Sequence, residues 1–509
     1  MSARASFKEG LSFGMLSFAS MAVLGIGSGI AIARAYGIDV VGAYALAYAP
    51  VALCGTFSTV QEQAALMREL AVLPARAPRI TALLAVVVAF STALTTLVAV
   101  VAGVVAALLL TGPVGQPDLV WPALVLLAEY ALLGNLGWNV DVVFAAFRAG
   151  RQLFWIRLLT AVGFLVVAVA LSFPYGTVWA LVVAHVASTV AALALRAVLL
   201  PRFMRWRVPW GEVRDGARLL PEMLRFGVKV MPAHIADGAS NEAGTWIVGV
   251  TSPVATVGGW TRAWQLSQRL LEPTYRVAEM LFPTLVERRK GGDTDGFARA
   301  LLGSSRLVGT GLLLVAACAG GASDAVMSVY GPGFGVAADA LTLTLLVPVF
   351  YCTATLLGQA MLALDRPLLW TGTTVARTVA VFALGVPLAA AWGITGMAAA
   401  TALAYASGLL LIGALTRRHV PGAHRLVWPA RSIAAALGGY AAGFACARAL
   451  DVAVDGLLAL VVALPAGACA FALVFVALGG LTTDDRRHLR ALHARARGLR
   501  RRVSPVPTA

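Results

Sequence analysis

From Ile80 to Pro117 the chain carries no charged side chain, and long apolar runs recur along most of its length. A spanning helix takes roughly 20 mainly apolar residues to cross a hydrocarbon core about 30 Å thick. Backbone groups find no water there, which leaves helices or closed barrels as the possible spanning structures. The runs here are long and lack the strict alternation of strands, so they read as helices. Composition agrees, with 60% of the 509 residues hydrophobic and 13% charged, against about half and a quarter in soluble domains. No polar block is large enough for a separate soluble domain. The expected fold class is an all-α integral membrane protein.

Fourteen candidate spans can be placed at 12–35, 39–62, 81–111, 119–146, 153–172, 176–200, 224–250, 254–283, 298–321, 337–363, 368–391, 393–415, 430–450 and 457–480. Loop charges test the count. With the N-terminus in the cytoplasm, the inner loops collect Arg68, Arg76, Arg79, Arg148, Arg151, Arg202, Arg205, Arg207, Arg214, Arg218, Arg288, Arg289, Lys290, Arg366, Arg417, Arg418 and Arg425. The basic tail "RRHLRALHARARGLRRR" falls on the same side, and the outer loops hold almost no basic residue beyond Arg34 and Arg448. This asymmetry predicts an even number of spans with both termini cytoplasmic. It also accounts for the net charge of +16 without a nucleic-acid partner, because the basic residues are dispersed among loops and tail. The start "MSARASFKEG" leads into an apolar run too long for a signal core, so it reads as a retained first helix. Cys54, Cys318, Cys352, Cys446 and Cys469 lie in apolar segments without metal-ligand spacing and read as small packed residues.

The chain also repeats itself. "VGAYALAY" at Val41–Tyr48 matches "VGGWTRAW" at Val257–Trp264 with an offset of 216. "RQLFW" at Arg151–Trp155 matches "RPLLW" at Arg366–Trp370, offset 215, and "YGTVWA" at Tyr175–Ala180 parallels "WGITGMA" at Trp392–Ala398. Three matches in one order at nearly one offset indicate a duplicated six-span unit. The expected organisation is an N-terminal six-helix lobe with a basic inner loop (1–222), a C-terminal six-helix lobe (223–420), and two extra spans with a basic tail (421–509). Parallel repeats about an axis along the membrane normal form one known transporter plan, with cargo handled between the halves.

One segment breaks the apolar pattern. "GGWTRAWQLSQRLLEPTYRVAEMLFP", Gly258–Pro283, carries Arg262, Arg269 and Arg276 at intervals of seven, with Glu272 and Glu279 between them. Residues seven apart lie about two turns apart on nearly one helix face. The seventh span brings Asp237, Asn241 and Glu242 to similar depth. Each mid-membrane charge costs about 2.5–3.5 kcal/mol on insertion scales, so these side chains should face protein, one another or water. Two readings follow. In one, the charges pair structurally, Glu272 with Arg276, Asp237 with Arg269 and Glu242 with Arg262. In the other, the stripe lines a hydrated cavity and attracts an anionic cargo, for which arginine's planar fork suits phosphate. The two are compatible. Arg34 reads as an interfacial anchor or a cavity rim, Arg377 as snorkelling to the cytoplasm, and His185 as a packed core histidine or a proton relay. Glu129, Asn135, Asn139 and Asp141 in the fourth span could line the first lobe's inner wall or make interhelical contacts.

No P-loop, H-E-x-x-H, paired-cysteine zinc motif or nucleophile elbow occurs, so no ATPase or other enzyme activity and no cofactor is expected. "ARAYGIDVVGAYALAYA", "VMSVYGPGFGVAADALTLTLL", "LLGQAMLALDRPLLW" and "WGITGMAAATALAYASGLLL" resemble segments of polysaccharide exporters in the multidrug/oligosaccharidyl-lipid/polysaccharide (MOP) superfamily, over roughly Phe7 to Leu415. The resemblance implies a flippase for polyprenyl-diphosphate-linked oligosaccharides in a bacterial cytoplasmic membrane, acting in cell-surface polysaccharide synthesis. It implies two six-helix lobes around a central cavity that alternates its access. The two extra C-terminal spans are similar to those of the lipid II flippases, whose first, second and eighth spans carry cavity arginines. Here Arg262 and Arg269 match the eighth-span feature, whereas the first span offers only Arg34 at its end and the second has no basic residue in its apolar body. The expected substrate-binding set is Arg262, Arg269, Arg276, Asp237, Asn241, Glu242 and Arg34, with the lipid tail leaving between spans one and eight. Two other readings stand beside this one. The first is a drug or metabolite antiporter of the same superfamily, coupled to Na⁺ or H⁺ through Asp237 or Glu242. The second is a non-transporting scaffold for glycan-synthesis enzymes.

Overall fold

The computed structural model describes residues 7–60, 62–70, 72–206, 210–228, 231–420, 430–454 and 456–481, excluding the side chains of 7–19, 64, 223, 226, 227, 272, 273, 276 and 279. No strand occurs among the described residues. The helices in chain order are α1 (Phe7–Phe57), α2 (Glu62–Leu70), α3 (Pro78–Thr111), α4 (Val120–Glu129), α5 (Asn135–Ala146), α6 (Gly150–Tyr175), α7 (Val178–Leu199), α8 (Trp210–Val228) and α9 (Met231–Thr251). They continue with α10 (Val254–Arg269), α11 (Glu272–Lys290), α12 (Thr294–Gly321), α13 (Ser323–Ser328), α14 (Ala338–Thr344), α15 (Leu346–Ala363), α16 (Pro367–His419), α17 (Ala430–Ala453) and α18 (Gly456–Ala477). A π-type turn at Tyr130–Gly134 joins α4 to α5.

Ten helical stretches among the described residues are long and apolar enough to cross a membrane. Two of them hold two crossing lengths each. α1 breaks at Gly37, whose φ of 77° and ψ of 173° suit glycine, and α16 breaks at Trp392–Gly393, where Gly393 has φ 57°. Contacts show that both chains turn back on themselves. In α16, Gly385 lies against Met397 and Gly408 against Arg377. In α1 the first half runs along α10, with Gly25 by Arg269 and Gly29 by Arg262, while the second half runs along α9, with Leu46 by Gly249 and Thr56 by Gly238. α9 and α10 are themselves antiparallel, since Gly244 meets Trp260 and Gln268 bonds Asn241. α9 and the α10–α11 pair fall outside the ten apolar stretches, as their polar content requires.

The repeat offset of 216 reappears in the packing. A Cβ built on Gly42 would stand 2.1 Å from the carbonyl oxygen of Val254, and one on Gly258 would stand 2.3 Å from that of Ile38. Each glycine thus meets the carbonyl four residues before its counterpart in the other repeat, so α1 and α10 cross backbone to backbone. Small residues at helix crossings allow this approach in membranes.

One large apolar cluster runs through this crossing and both halves, including Leu46, Leu126, Leu181, Trp260, Phe334 and Met397. Smaller clusters sit at the opposite end of each half, around Phe144, Phe147 and Phe203 in the first and Leu285, Phe297 and Met361 in the second. α17 and α18 pair with each other and pack on α12, where Gly443 and Gly467 meet Ala317 and Cys318.

Two departures from the expected spans have local causes. The basic inner loop contains α8, which packs on α2 and α3 through buried Gly216 against Ala82 while Trp210 and Arg214 face outward. The eighth is not one helix. Leu270 and Leu271 donate to Ser267 and Gln268 three residues back, at 3.0 and 3.1 Å, and α11 restarts with Pro273 in its first turn.

Candidate functional site

A cavity of about 720 Å³ opens between the two halves. α1, α6 and α7 wall one side, and α9, α10 and the first turns of α11 wall the other. α10 carries Arg262 and Arg269 into it, with Gln265 and Gln268 from the same helix. Arg262 donates through Nη1 to Gln265 Oε1 at 2.8 Å, and its Nε is buried with no acceptor. Neither arginine has a carboxylate within ion-pair distance among the described residues. The cavity therefore presents two guanidinium groups that no carboxylate of the described residues pairs, in a setting that strengthens their attraction for an anion. The side chain of Arg276 lies outside the described residues. Its helix follows the tight turn at Leu270–Leu271, so the seven-residue register does not carry through from Arg269.

The expected partners distribute differently. Asp237 does not pair with Arg269. Its Oδ1 takes the Arg377 Nη2 and its Oδ2 accepts from Tyr351 Oη at 3.3 Å. Arg377 does not snorkel. It is 4% exposed, with its guanidinium 4.5 Å from the Tyr405 ring centroid and 5.2 Å from that of Tyr351. A guanidinium that deep needs a counter-ion, and Asp237 on the neighbouring helix supplies it. Asn241 accepts from Gln268 Nε2 and Tyr405 Oη, both at 3.3 Å, so it links this buried pair to the cavity wall without lining it. Glu242 lines the cavity, but it forms no ion pair with Arg262. Arg34 stands apart, its Nε donating to the Val329 carbonyl at 2.8 Å.

The fourth span divides by depth. Asn135 and Asn139 bond Ser91 at 2.7 and 3.1 Å, and Asp141 takes a two-pronged bond from Arg196 at 2.8 and 2.9 Å. These are interhelical contacts, and Asn139 Oδ1 is the one oxygen among them left without a partner among the described residues. Glu129 is different. Its Oε2 lies 3.5 Å from His185 Nε2, while its Oε1 is buried with no hydrogen-bond partner. His185 is a cavity-wall residue instead of a packed core histidine, and its Nδ1 lies 3.2 Å from Tyr44 Oη. The expected gap between spans one and eight is closed, because Gly25 and Gly29 of α1 lie against the Arg269 and Arg262 side chains.

The family model for a polysaccharide biosynthesis protein matches residues 75–310. No curated protein matches the chain in sequence. The fold is similar to that of the lipid II flippase MurJ in an inward closed conformation, with TM-score 0.65 and 11% identity over 91% of this chain and 98% of that one. It is also similar to an inward-facing multidrug resistance MATE family transporter of the MOP superfamily, with TM-score 0.57 and 14% identity over 81% of this chain and 99% of that one.

Proposed function

We infer that this chain, which has the helical fold shared by transporters of the MOP superfamily, is a flippase that moves a polyprenyl-diphosphate-linked oligosaccharide across the bacterial cytoplasmic membrane during cell-surface polysaccharide synthesis. Two guanidinium groups in a 720 Å³ cavity between the halves, neither in an ion pair with another described residue, carry this reading. Arg262 and Arg269 hold the diphosphate, Gln265, Gln268 and Glu242 meet the sugars, and the polyprenyl chain stays in lipid.

In this reading the chain crosses the membrane fourteen times with both termini cytoplasmic. Its lobes are 1–222 and 223–420, with the pair of helices beyond 421 as an addition. The lobes rock so that the α1–α10 crossing closes in one state and opens in the other, and cargo biases the equilibrium by binding the two states unequally. Glu242, a cavity carboxylate without an ion-pair partner among the described residues, favours the cation-coupled antiporter as the second reading. Arg262 and Arg269, which outnumber Glu242 among the charges lining that cavity, weigh against a cationic drug as cargo.

A flipping assay in proteoliposomes loaded with a polyprenyl-diphosphate-linked oligosaccharide tests the proposal. Arg269→Ala is expected to abolish translocation without loss of membrane insertion, and Arg269→Lys to retain a fraction of it. Undiminished translocation by Arg269→Ala would return both arginines to a structural role.

A further inference from the structure

We propose that Glu129 and His185 form a proton-accepting site in the cavity wall, and that a proton held there and an anionic headgroup held at Arg262 and Arg269 favour one another's binding. The second half rests on the diphosphate reading above; the first does not.

The geometry is that of a pair short of one proton. Glu129 ends α4 just before the π-type turn, a wide turn often found where a side chain must be re-aimed. Its side chain is 4% exposed, and Oε1 has no donor at all. A buried carboxylate oxygen left unsatisfied is costly, and a proton relieves that cost. His185 on α7 lies between this carboxylate and the cavity. Its Nε2 is 3.5 Å from Glu129 Oε2, and its other nitrogen is 3.2 Å from the Tyr44 hydroxyl, which also lines the cavity. A proton handed over by hydronium in the cavity, which leaves as water, can therefore bind at Nε2 and be shared with Oε2, neutralising the carboxylate as a whole while Oε1 stays without a donor. Rings of Tyr48 and Phe164 stand edge-on to the imidazole at 5.4 and 6.1 Å and keep the pair partly dry.

Tyr44 and Tyr48 on α1 and Tyr130 in the π-type turn lie within electrostatic reach of Glu129; Tyr44 is also within reach of Arg262 on α10, and Tyr48 of Glu242 on α9. Arg262 is the one cation among them. With Glu129 ionised and His185 neutral, this wall carries one negative charge opposite the arginines. Uptake of a proton cancels it, so an incoming diphosphate meets a wall of less repulsive sign. By linkage the headgroup must strengthen proton binding by the same factor. Glu242 is less suited to this role, because no hydrogen-bond partner for its side chain occurs among the described residues.

Geranylgeranyl diphosphate, a short polyprenyl diphosphate, serves as the probe. Calorimetric titration of the purified full chain in buffers of different ionisation enthalpy counts the protons taken up on binding. The probe's own protonation contributes equally in every variant, so the comparison reports the site. Wild type is expected to take up about one proton more than Glu129→Gln, and its affinity to rise by up to about tenfold per pH unit on acidification where that variant's does not. Equal proton counts in the two proteins, with the probe bound to both, would overturn the linkage and leave the diphosphate reading standing. Failure of wild type to bind the probe would remove the diphosphate reading and the linkage together. A second arm then decides the site itself. Infrared difference spectra of the cargo-free protein in bilayers should gain a protonated-carboxyl band on acidification that Glu129→Gln lacks, Glu242→Gln keeps and His185→Gln shifts. An unchanged band in Glu129→Gln would sink the site.

Discussion

The crossing of Gly42 and Gly258 gives the most direct handle on whether the two halves part there. In this structure a Cβ at Gly42 would meet the Val254 carbonyl oxygen at 2.1 Å and the Gly258 nitrogen at 2.8 Å. Both are backbone atoms and cannot rotate aside. Gly42→Ala must push α1 and α10 apart by roughly 1 Å, and inserting atoms into a close-packed contact costs about 1–3 kcal/mol. A state in which the crossing is open escapes that cost. Alanine's better helix propensity, worth up to about 1 kcal/mol, acts in both states and cancels between them. The equilibrium should therefore shift about 5- to 150-fold away from the closed crossing. Nitroxide labels at Tyr175→Cys and Val336→Cys, exposed positions one on each half, report the separation by pulsed electron resonance in nanodiscs on a background without the native cysteines. Gly42→Ala should move population to longer distances, and adding Gly258→Ala should move it further. Gly27→Ala, where an added Cβ meets nothing within 4 Å, is the matched control. A distance distribution identical in Gly42→Ala and wild type would refute the crossing as a moving seal.

Further outcomes follow from the buried network and the helix breaks. Asp237→Asn leaves the 4%-exposed Arg377 without its counter-ion, so thermal unfolding in detergent should show a loss of about 3–5 kcal/mol. Replacing both residues with apolar ones of similar size should recover most of it, and a double variant as unstable as the single would contradict the pairing argument. Gly37 has free space around its missing Cβ but a φ of 77°. Gly37→Ala should thus cost about 1–3 kcal/mol from backbone strain alone, measured by the same unfolding assay against Gly27→Ala.

Much of the fold was written in hydropathy and repetition. The apolar runs located the membrane helices, and the match of "VGAYALAY" to "VGGWTRAW" pointed at the two glycines that meet in space. The charge stripe was legible in part. Arg262 and Arg269 do line a cavity, because nothing apolar could accommodate two guanidinium groups at that depth. Their supposed partners were misread because pairing in a helical bundle depends on rotation about each helix. Asp237 faces α16, and the 140 residues between it and Arg377 leave no sequence signal of their meeting. Other signals were present but local. Pro273 after "LLE" marked the restart of α11, and the alternation of basic and apolar residues in "WGEVRDGARLLPEMLRF" marked α8. Glu129 and His185 lie on separate apolar helices, where a lone polar residue is equally at home in a sealed contact, so their meeting, with His185 on the cavity wall and Glu129 behind it, emerged only from the packing.

The reversals at Gly37 and Trp392–Gly393 take place with no intervening loop. The two turns themselves therefore offer a protease nothing to cut, and cleavage on the rim where α1 turns should fall instead in the exposed segment around 332–336, which packs beside Gly37. Digestion of intact vesicles followed by peptide mapping would then read the molecule's sidedness through which exposed segments are cut.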